Sequence, residues 1–254
     1  MKIQGTRVLL TGATGGIGRA IAHELHLHGA ELVLTGRREN ELSTLAGEVN
    51  GTALIADLAL PADLERIVDE AGQIDILVAN AGLPGSGELL DHTVSEIDSA
   101  LAVNLRSPIV LTRMLLPEML ERGRGHFVYI SSISGKVAAN GTAIYSATKF
   151  GLRGFATALR ADLHGTPVGA STVFPGFIRD AGMFHEAGVK LPKGVGTRSP
   201  EQVATAVARA IERASEVLPT PGGPTKHKIG PLILLRRCCT ARYSRIRSLT
   251  FSRP

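Results

Sequence analysis

Close to its start the chain reads Val8-Leu9-Leu10-Thr11-Gly12-Ala13-Thr14-Gly15-Gly16-Ile17-Gly18, followed by a helical pattern over residues 19–28. The apolar residues before Thr11 are typical of a short buried strand. Glycines let the backbone turn tightly and approach a pyrophosphate, and the N-terminus of the following helix attracts negative charge. This order of strand, glycine turn and helix predicts a dinucleotide site, although the turn alone also fits a plain connection.

Beyond this stretch, apolar runs alternate with helical patterns along the chain. Such alternation is typical of a parallel sheet covered by helices on both faces, so we predict an α/β fold with a doubly wound parallel sheet. A chain of 254 residues can bury a full core within a single domain. Strands are predicted at residues 8–10, 32–34, 53–55, 76–79, 127–130 and 169–174, and helices at 17–28, 40–49, 62–71, 94–101, 108–121, 143–164 and 200–214.

Residues 177–199 interrupt this alternation. They are rich in Gly, Pro and Lys, have no apolar periodicity and follow a predicted strand. Loops at the carboxyl ends of parallel strands often cover a binding site. We interpret this segment as a mobile lid, and a plain surface loop is the alternative.

Positive charge is concentrated at the C-terminal end. Of the 28 basic and 23 acidic residues, eight basic and no acidic ones follow Glu216, so residues 1–216 have a net charge of −3. The high isoelectric point therefore belongs to the tail and does not indicate a nucleic-acid-binding domain. Because five of the 13 prolines also follow Val217, we predict one domain at residues 1–218 and a basic tail at 219–254.

The tail contains only one short apolar run, residues 232–235. That is too little apolar surface to offset the entropy lost on ordering, so we expect the tail to be disordered. The alternatives are that the tail is an arm that binds a membrane surface or an anionic ligand, or that it is the product of a shifted reading frame.

Several other classes of protein are not indicated. The chain has no signal-peptide pattern, and no stretch approaches the roughly 20 apolar residues needed to span a bilayer. Cys238 and Cys239 are adjacent, which fits neither a disulfide framework nor a zinc site. His23, His26 and His28 lack carboxylate or cysteine partners at ligand spacing, so we expect no metal. These features predict a cytoplasmic protein without a transmembrane segment.

Tyr145 and Lys149 stand four residues apart in the predicted helix at residues 143–164. Positions i and i+4 share a helix face, so the lysine ammonium would lie beside the phenol. A nearby cation favours the phenolate and lowers the pKa of a tyrosine from its usual ~10 toward the range useful for acid and base chemistry. The pair predicts a proton-transfer site, although this spacing alone also arises by chance.

Six motifs occur in one order along the chain. They resemble the short-chain dehydrogenase/reductase family in its single-domain form, and the resemblance extends over residues 3–218. It implies a Rossmann fold and an oxidoreductase that acts on small alcohols or carbonyl compounds, assembled as a homodimer or homotetramer. The motifs are Thr11-Gly-x-x-x-Gly-x-Gly18, Asn80-Ala81-Gly82, Asn104, Ser132, Tyr145-x-x-x-Lys149 and Pro175-Gly176.

The resemblance also implies catalytic roles for four residues. Tyr145 would be the general acid and base, and Ser132 would hold the substrate oxygen by a hydrogen bond. Lys149 would lower the pKa of Tyr145 and bind the nicotinamide ribose. Asn104 would complete a proton path through water, or alternatively satisfy a break in a helix.

A larger set of residues is expected to bind the coenzyme, on the same resemblance. Asp57 would contact the adenine or serve only as a helix cap, and Asn80 and Gly82 would hold the coenzyme or simply make a turn. The full set is Gly12, Thr14, Gly16, Ile17, Gly18, Arg37, Arg38, Asp57, Leu58, Asn80, Ala81, Gly82, Tyr145, Lys149, Pro175, Gly176 and Ile178.

The end of the second strand indicates which coenzyme is bound. NAD enzymes usually place Asp or Glu there to bind the ribose 2′-hydroxyl, whereas this chain has Gly36-Arg37-Arg38. Without the carboxylate nothing repels a 2′-phosphate, and a guanidinium can bind it through two hydrogen bonds. We therefore predict NADP rather than NAD, the alternative being that Arg38 only begins a helix in solvent.

The substrate is defined less sharply. Apolar side chains near the predicted site favour a hydrophobic alcohol or ketone. Asp180 stands where many family members have a threonine that binds the nicotinamide amide, so the coenzyme would be held differently there. A non-catalytic NADP-binding scaffold or sensor is the alternative function. The apolar residues are Leu83, Pro84, Val137, Phe177, Met183 and Phe184.

Overall fold

A computed structural model describes residues 1–179 and 196–213. Within them, six parallel strands form one sheet in the order β3-β2-β1-β4-β5-β6, which confirms the predicted α/β fold with a doubly wound sheet. The strands are β1 (Arg7–Thr11), β2 (Glu31–Gly36), β3 (Thr52–Ile55), β4 (Ile76–Ala79), β5 (Gly125–Ile130) and β6 (Val168–Val173). The helices are α1 (Gly16–Leu27), α2 (Glu39–Glu48), α3 (Pro61–Ala71), α4 (Val94–Leu101), α5 (Ser107–Glu121), α6 (Ala143–Asp162) and α7 (Pro200–Arg213).

The strands consist of nearly continuous apolar residues because both faces of the sheet are covered. Successive side chains of a strand point to opposite faces. In β1, Leu9 packs with α3, α5 and α6, whereas Val8 and Leu10 pack with α1, α2 and α7. Two separate cores therefore hold the sheet between two layers of helices.

The strand order reverses beside β1, which pairs with β2 on one side and with β4 on the other. Chain connections leave in opposite directions from such a point, so a crevice opens at the carboxyl ends of the strands. The glycine turn after β1 and the loop after β4 meet at this crevice, and this meeting point positions the candidate site.

Helices α4 and α5 are joined without a gap by a π-helical turn at Ala102–Arg106. The sequence pattern predicts separate helices here, with a possible break at Asn104. A π turn holds one more residue than an α turn, so the chain continues as a helix while side-chain directions shift. Asn104 consequently lies inside the fold, with 1% of its surface exposed.

The ends of the predicted lid meet each other. Ile178 and Arg198 form a β-bridge, in which the Arg198 N–H donates to Phe177 O at 2.8 Å and the Arg179 N–H donates to Arg198 O at 3.0 Å. Most of the lid, with Asp180, Met183 and Phe184, lies outside the described residues, as does the whole tail at residues 219–254. No helix in the described ranges is long and apolar enough to cross a membrane.

One buried histidine makes the stability of the fold depend on pH. His126 on β5 is 2% exposed, and its Nε2 lies 3.0 Å from Ser171 Oγ on β6. Burial lowers the pKa of His126 from 6.5 to about 4, with a smaller effect of the N-terminal charge. As the pH falls, His126 is therefore protonated at a higher pH in the unfolded chain than in the folded chain. The resulting contribution to stability is complete above about pH 6.5 and is lost as the pH falls toward about 4.

We predict that His126→Gln makes unfolding less sensitive to acid. Between pH 7 and pH 5 the wild type should lose about 2 kcal/mol of unfolding free energy through this group, and the variant should not. Urea unfolding at both pH values measures the difference. His164→Gln, a change at an exposed position, is the control and should follow the wild type. Equal acid sensitivity of wild type and His126→Gln would contradict the assignment.

Candidate active site

The glycine turn after β1 is shaped by two close backbone contacts. Gly12 has φ 64°, and a Cβ there would lie 2.6 Å from Ala81 Cα in the loop after β4. A Cβ on Gly18, in the first turn of α1, would overlap the carbonyl oxygen of Gly12. Only glycine allows both approaches, so the turn presents bare backbone N–H groups at the N-terminus of α1.

Hydrogen bonds fix this turn to the loop after β4. Thr11 Oγ1 accepts from the N–H groups of Asn80 and Ala81, both at 3.1 Å. Asn80 Nδ2 donates to the carbonyl oxygens of Thr11 at 3.1 Å and Gly12 at 3.0 Å. Both N–H donors of the Asn80 side chain thus hold the turn in place, and the expected coenzyme contact of Asn80 stays a prediction.

A groove of about 470 Å³ runs along this turn. Most of the predicted coenzyme residues line it. Thr35 and Val103 also line the groove, although the sequence did not predict them as coenzyme residues. Thr35 carries a buried hydroxyl without a partner among the described residues, and nothing in its strand pattern distinguishes it from a core residue. The groove is lined by Gly12, Thr14, Gly15, Gly16, Ile17, Gly18, Thr35, Gly36, Arg37, Arg38, Leu58, Asn80, Ala81, Gly82, Leu83, Pro84 and Val103.

Two arginines stand at the end of the groove beside β2. Arg38 donates to Thr14 O at 2.7 Å and to Thr14 Oγ1 at 3.3 Å, and it pairs with Glu41 at 3.1 Å. It is the N-cap residue of α2, and its side chain is bonded to the glycine turn while 56% of it stays exposed. Arg37 lies 3.8 Å from Asp57 and its side chain is 61% exposed. Both guanidinium groups can therefore reach a ligand in the groove.

Asp57 is not the cap of the following helix. The N-cap residue of α3 is Leu60. Asp57 Oδ1 accepts from the Ala59 N–H at 3.0 Å, and the Asp57 N–H donates to Asp63 at 2.7 Å. That backbone hydrogen bond is the main reason why the pKa of Asp63 is lowered, with Arg66 adding to it. Asp57 and Leu58 are thus held in a defined loop at the end of β3.

Tyr145 and Ser132 meet at the carboxyl end of β5. Tyr145 lies in the first turn of α6, and Ser132 is the N-cap residue of a short 3₁₀ turn, Ile133–Gly135. The Ser132 hydroxyl accepts from the Ser134 N–H at 3.1 Å and lies close enough to the Tyr145 phenol to influence its pKa. Burial raises the pKa of Tyr145, and the neighbouring Ser132 hydroxyl opposes that rise. The four-residue spacing of Tyr145 and Lys149 predicts a lowered pKa, and this prediction is wrong because the spacing carries no information on burial.

Lys149 is buried directly behind Tyr145. Its Nζ lies 5.6 Å from the centre of the Tyr145 ring and donates to Ile130 O at 3.0 Å. The pairing of β4 with β5 ends at Tyr129, so the Ile130 carbonyl has no residue of β4 opposite it. At the other end of Lys149, Ser131 Oγ donates to its carbonyl oxygen at 3.2 Å. Burial lowers the pKa of Lys149 to about 8.

Asn104 joins the loop after β4 to helix α6. Its Oδ1 accepts from the Leu83 N–H at 2.6 Å, and its Nδ2 donates to Leu83 O at 2.9 Å and to Thr148 Oγ1 at 3.4 Å. Both N–H donors of the amide are therefore committed within the protein. The role of Asn104 in a proton path through water stays a prediction.

The remaining predicted residues lie beside the Ser132 turn or around the mouth of the groove. Pro175 O accepts from the Ile133 N–H at 2.9 Å, which joins the Pro175-Gly176 motif to that turn, whereas Ile178 is bridged to Arg198. Leu83 and Pro84 line the groove. Val137 is 64% exposed, and its N–H donates to Ile133 O at 3.0 Å.

We predict that Gly12→Ala abolishes or strongly weakens dinucleotide binding, because its Cβ has no space against Ala81. Gly5→Ala is a matched control, since Gly5 also has positive φ but nothing lies within 4 Å of its added Cβ. The affinity of each variant for NADPH, measured by fluorescence titration, should fall more than tenfold for Gly12→Ala only. Equal losses in both variants would mean that backbone strain, not the contact with Ala81, is responsible.

Comparison with known proteins gives a consistent result. The profile of the short chain dehydrogenase family matches residues 6–191. The ketoacyl reductase HetN of Nostoc sp. is 34% identical over 241 residues, which cover 91% of this chain and 84% of HetN.

Solved structures agree with these sequence matches. A short-chain dehydrogenase from Sphingobium yanoikuyae in complex with NADPH superposes with a TM-score of 0.76 at 29% identity, covering 82% of this chain and 85% of that one. A serine dehydrogenase complexed with NADP+ superposes with a TM-score of 0.72 at 31% identity, covering 79% and 87%. Complexes with NADP and with NAD both occur among the matching structures.

Proposed function

The chain belongs to the short-chain dehydrogenase/reductase family of NAD(P)-binding oxidoreductases, and on that basis we propose that it transfers a hydride between NADP(H) and a hydrophobic alcohol or ketone. The observation that carries this proposal is the arrangement of Ser132, Tyr145 and Lys149. A partly buried phenol beside a serine hydroxyl, with an ammonium 5.6 Å from the centre of its ring, is suited to proton transfer at a substrate oxygen.

The geometry of the groove is suited to binding a dinucleotide. Gly12 and Gly18 leave no space for a Cβ, so the turn offers its backbone and the N-terminus of α1 to a pyrophosphate. Asn80 and Thr11 hold that turn against the loop after β4. A bound NADP(H) would supply or accept the hydride at its nicotinamide.

The protein side of the reaction is a proton transfer. Tyr145 has a raised pKa and is therefore protonated at neutral pH, which makes it a proton donor when a ketone is reduced. Ser132 would hold the substrate oxygen beside the phenol. The charge of Lys149 stabilises the tyrosinate left after the transfer, and because the pKa of Lys149 is about 8, this charge is present at neutral pH.

The choice of NADP rests on Gly36, Arg37 and Arg38. The absence of a side chain at Gly36 removes the carboxylate that would repel a 2′-phosphate. Arg38 is held beside the groove by Thr14, and Arg37 is mostly exposed at its rim. Two solved relatives above 25% identity bind NADP(H), which supports the same choice.

Leu83, Pro84 and Val137 favour an apolar substrate. HetN carries the name ketoacyl reductase, so 3-oxoacyl thioesters belong in a substrate panel together with ketones and aldehydes. NADPH consumption by the purified full chain against this panel tests the proposal. A protein that binds NADPH but reduces no carbonyl would instead be the scaffold or sensor. We favour the enzyme because a dinucleotide-binding scaffold has no need for Ser132 and Tyr145 beside a buried Lys149.

We predict that Tyr145→Phe abolishes turnover and leaves NADPH affinity nearly unchanged, because the variant lacks the proton donor but keeps the groove. Tyr129→Phe, which makes the same change in the core, should retain turnover. Steady-state kinetics and a coenzyme titration separate the two effects. Most of the wild-type kcat surviving in Tyr145→Phe would exclude Tyr145 as the acid.

We predict that Gly36→Asp combined with Arg37→Ala reverses the coenzyme preference from NADPH to NADH. A Cβ at position 36 would lie 3.3 Å from Thr14 Oγ1, so only a small adjustment is needed. A charge-assisted phosphate contact contributes ~1.5 to 3 kcal/mol, which corresponds to about 10- to 150-fold in affinity. Arg113→Ala, at an exposed position on α5, is the control. Equal affinity of the wild type for NADPH and NADH would contradict the proposed preference for NADP.

A further inference from the structure

Both peptide groups of Tyr145 are connected to the loop that follows β4. The Tyr145 N–H donates to Gly85 O at 3.4 Å. The Tyr145 carbonyl oxygen accepts from Thr148 Oγ1 at 2.8 Å. The same Thr148 oxygen accepts from Asn104 Nδ2 at 3.4 Å. Since Asn104 binds both peptide groups of Leu83, the loop reaches the backbone of Tyr145 by two routes.

Thr148 is the link in the second route. It is 0% exposed, and its hydroxyl uses its single proton for the Tyr145 carbonyl and a lone pair for Asn104. A threonine that only bonds back to a carbonyl within its own helix is common and has little effect on function. Thr157 on α6 does this, since its exposed Oγ1 donates to Arg153 O at 2.8 Å. The bond from Asn104 is what distinguishes Thr148.

We propose that Thr148 is a positioning residue that holds the Tyr145 phenol against Ser132 by linking the first turn of α6 to Asn104 and the loop at Leu83. This inference rests on the proposed function, because it assigns the link a purpose in proton transfer. Leu83 and its neighbours line the coenzyme groove, so the link ties the position of the phenol to the wall of that groove.

The geometry of proton transfer makes such a link consequential. A general acid must lie within about 2.6 to 3.2 Å of the atom it protonates, and a misplacement of about 1 Å costs up to ~100-fold in rate. Tyr145 is in the first turn of its helix, where backbone N–H groups have no partner within the helix. The bonds to Gly85 and from Asn104 reach this part of α6 from outside the helix, the second of them through Thr148.

The test compares three variants of the full chain. Thr148→Val keeps the shape but removes the hydroxyl that donates to Tyr145 and accepts from Asn104. Thr148→Ser restores the hydroxyl, and Thr157→Val removes the matching hydroxyl that lacks the link to Asn104. Circular dichroism checks that each variant folds. Steady-state kcat, NADPH affinity and the ultraviolet titration of Tyr145, obtained by difference from Tyr145→Phe in each background, are then measured.

We expect kcat to fall about tenfold in Thr148→Val, while NADPH affinity changes less than twofold. The titration midpoint of Tyr145 should rise in this variant, because the phenol moves away from the Ser132 hydroxyl, which opposes the rise of its pKa. Thr148→Ser should restore both kcat and titration, and Thr157→Val should behave as the wild type.

Unchanged kcat and titration in Thr148→Val would overturn the proposal. Equal losses in Thr148→Val and Thr148→Ser would also overturn it, since they would indicate a packing role. If the wild type reduced no carbonyl compound at all, the proposed function would fail, yet the titration would still decide the positioning role: a rise in Thr148→Val alone supports it, and coincident titrations refute it.

Discussion

The close approach of Gly12 to Ala81 is the constraint on which the site depends. It brings the end of β1 against the loop after β4 at the point where the strand order reverses. Because no side chain separates the two backbones, Asn80 can bond to the turn and the turn can present its N–H groups to the groove. Any side chain at Gly12 would push the loop after β4 away from the glycine turn. That loop contains Leu83, which is connected through Asn104 to the start of α6.

A second constraint follows from unequal strand lengths. β4 ends one residue before β5, so the Ile130 carbonyl lacks a partner in the sheet and the Lys149 ammonium occupies the position. A buried charge requires hydrogen-bonding partners, and this carbonyl is one that the fold itself provides. The same strand continues into Ser131 and Ser132, which places the serine hydroxyl, the lysine and the phenol around one strand end.

Sequence predicts what depends on local periodicity and on motifs. The strands and helices were located to within a few residues because buried parallel strands are continuously apolar and the helices are amphipathic. What sequence missed depends on tertiary contact. Burial raises the pKa of Tyr145, and hydrogen bonds with Leu83 engage the amide of Asn104. The link from Asn104 to Thr148 depends on a π turn, which no periodicity in the sequence predicts.

Burial acts in opposite directions on the two ionisable groups of the candidate centre. It raises the pKa of Tyr145 and lowers that of Lys149 to about 8, so in both cases it favours the neutral form. Near neutral pH the phenol therefore keeps its proton, while the ammonium is only about ten times more populated than the amine. A dinucleotide bound nearby brings negative charge, which favours the ammonium. Under the proposed function, Tyr145 would therefore hold its proton before reaction, and Lys149 would gain its full charge once a dinucleotide occupied the groove.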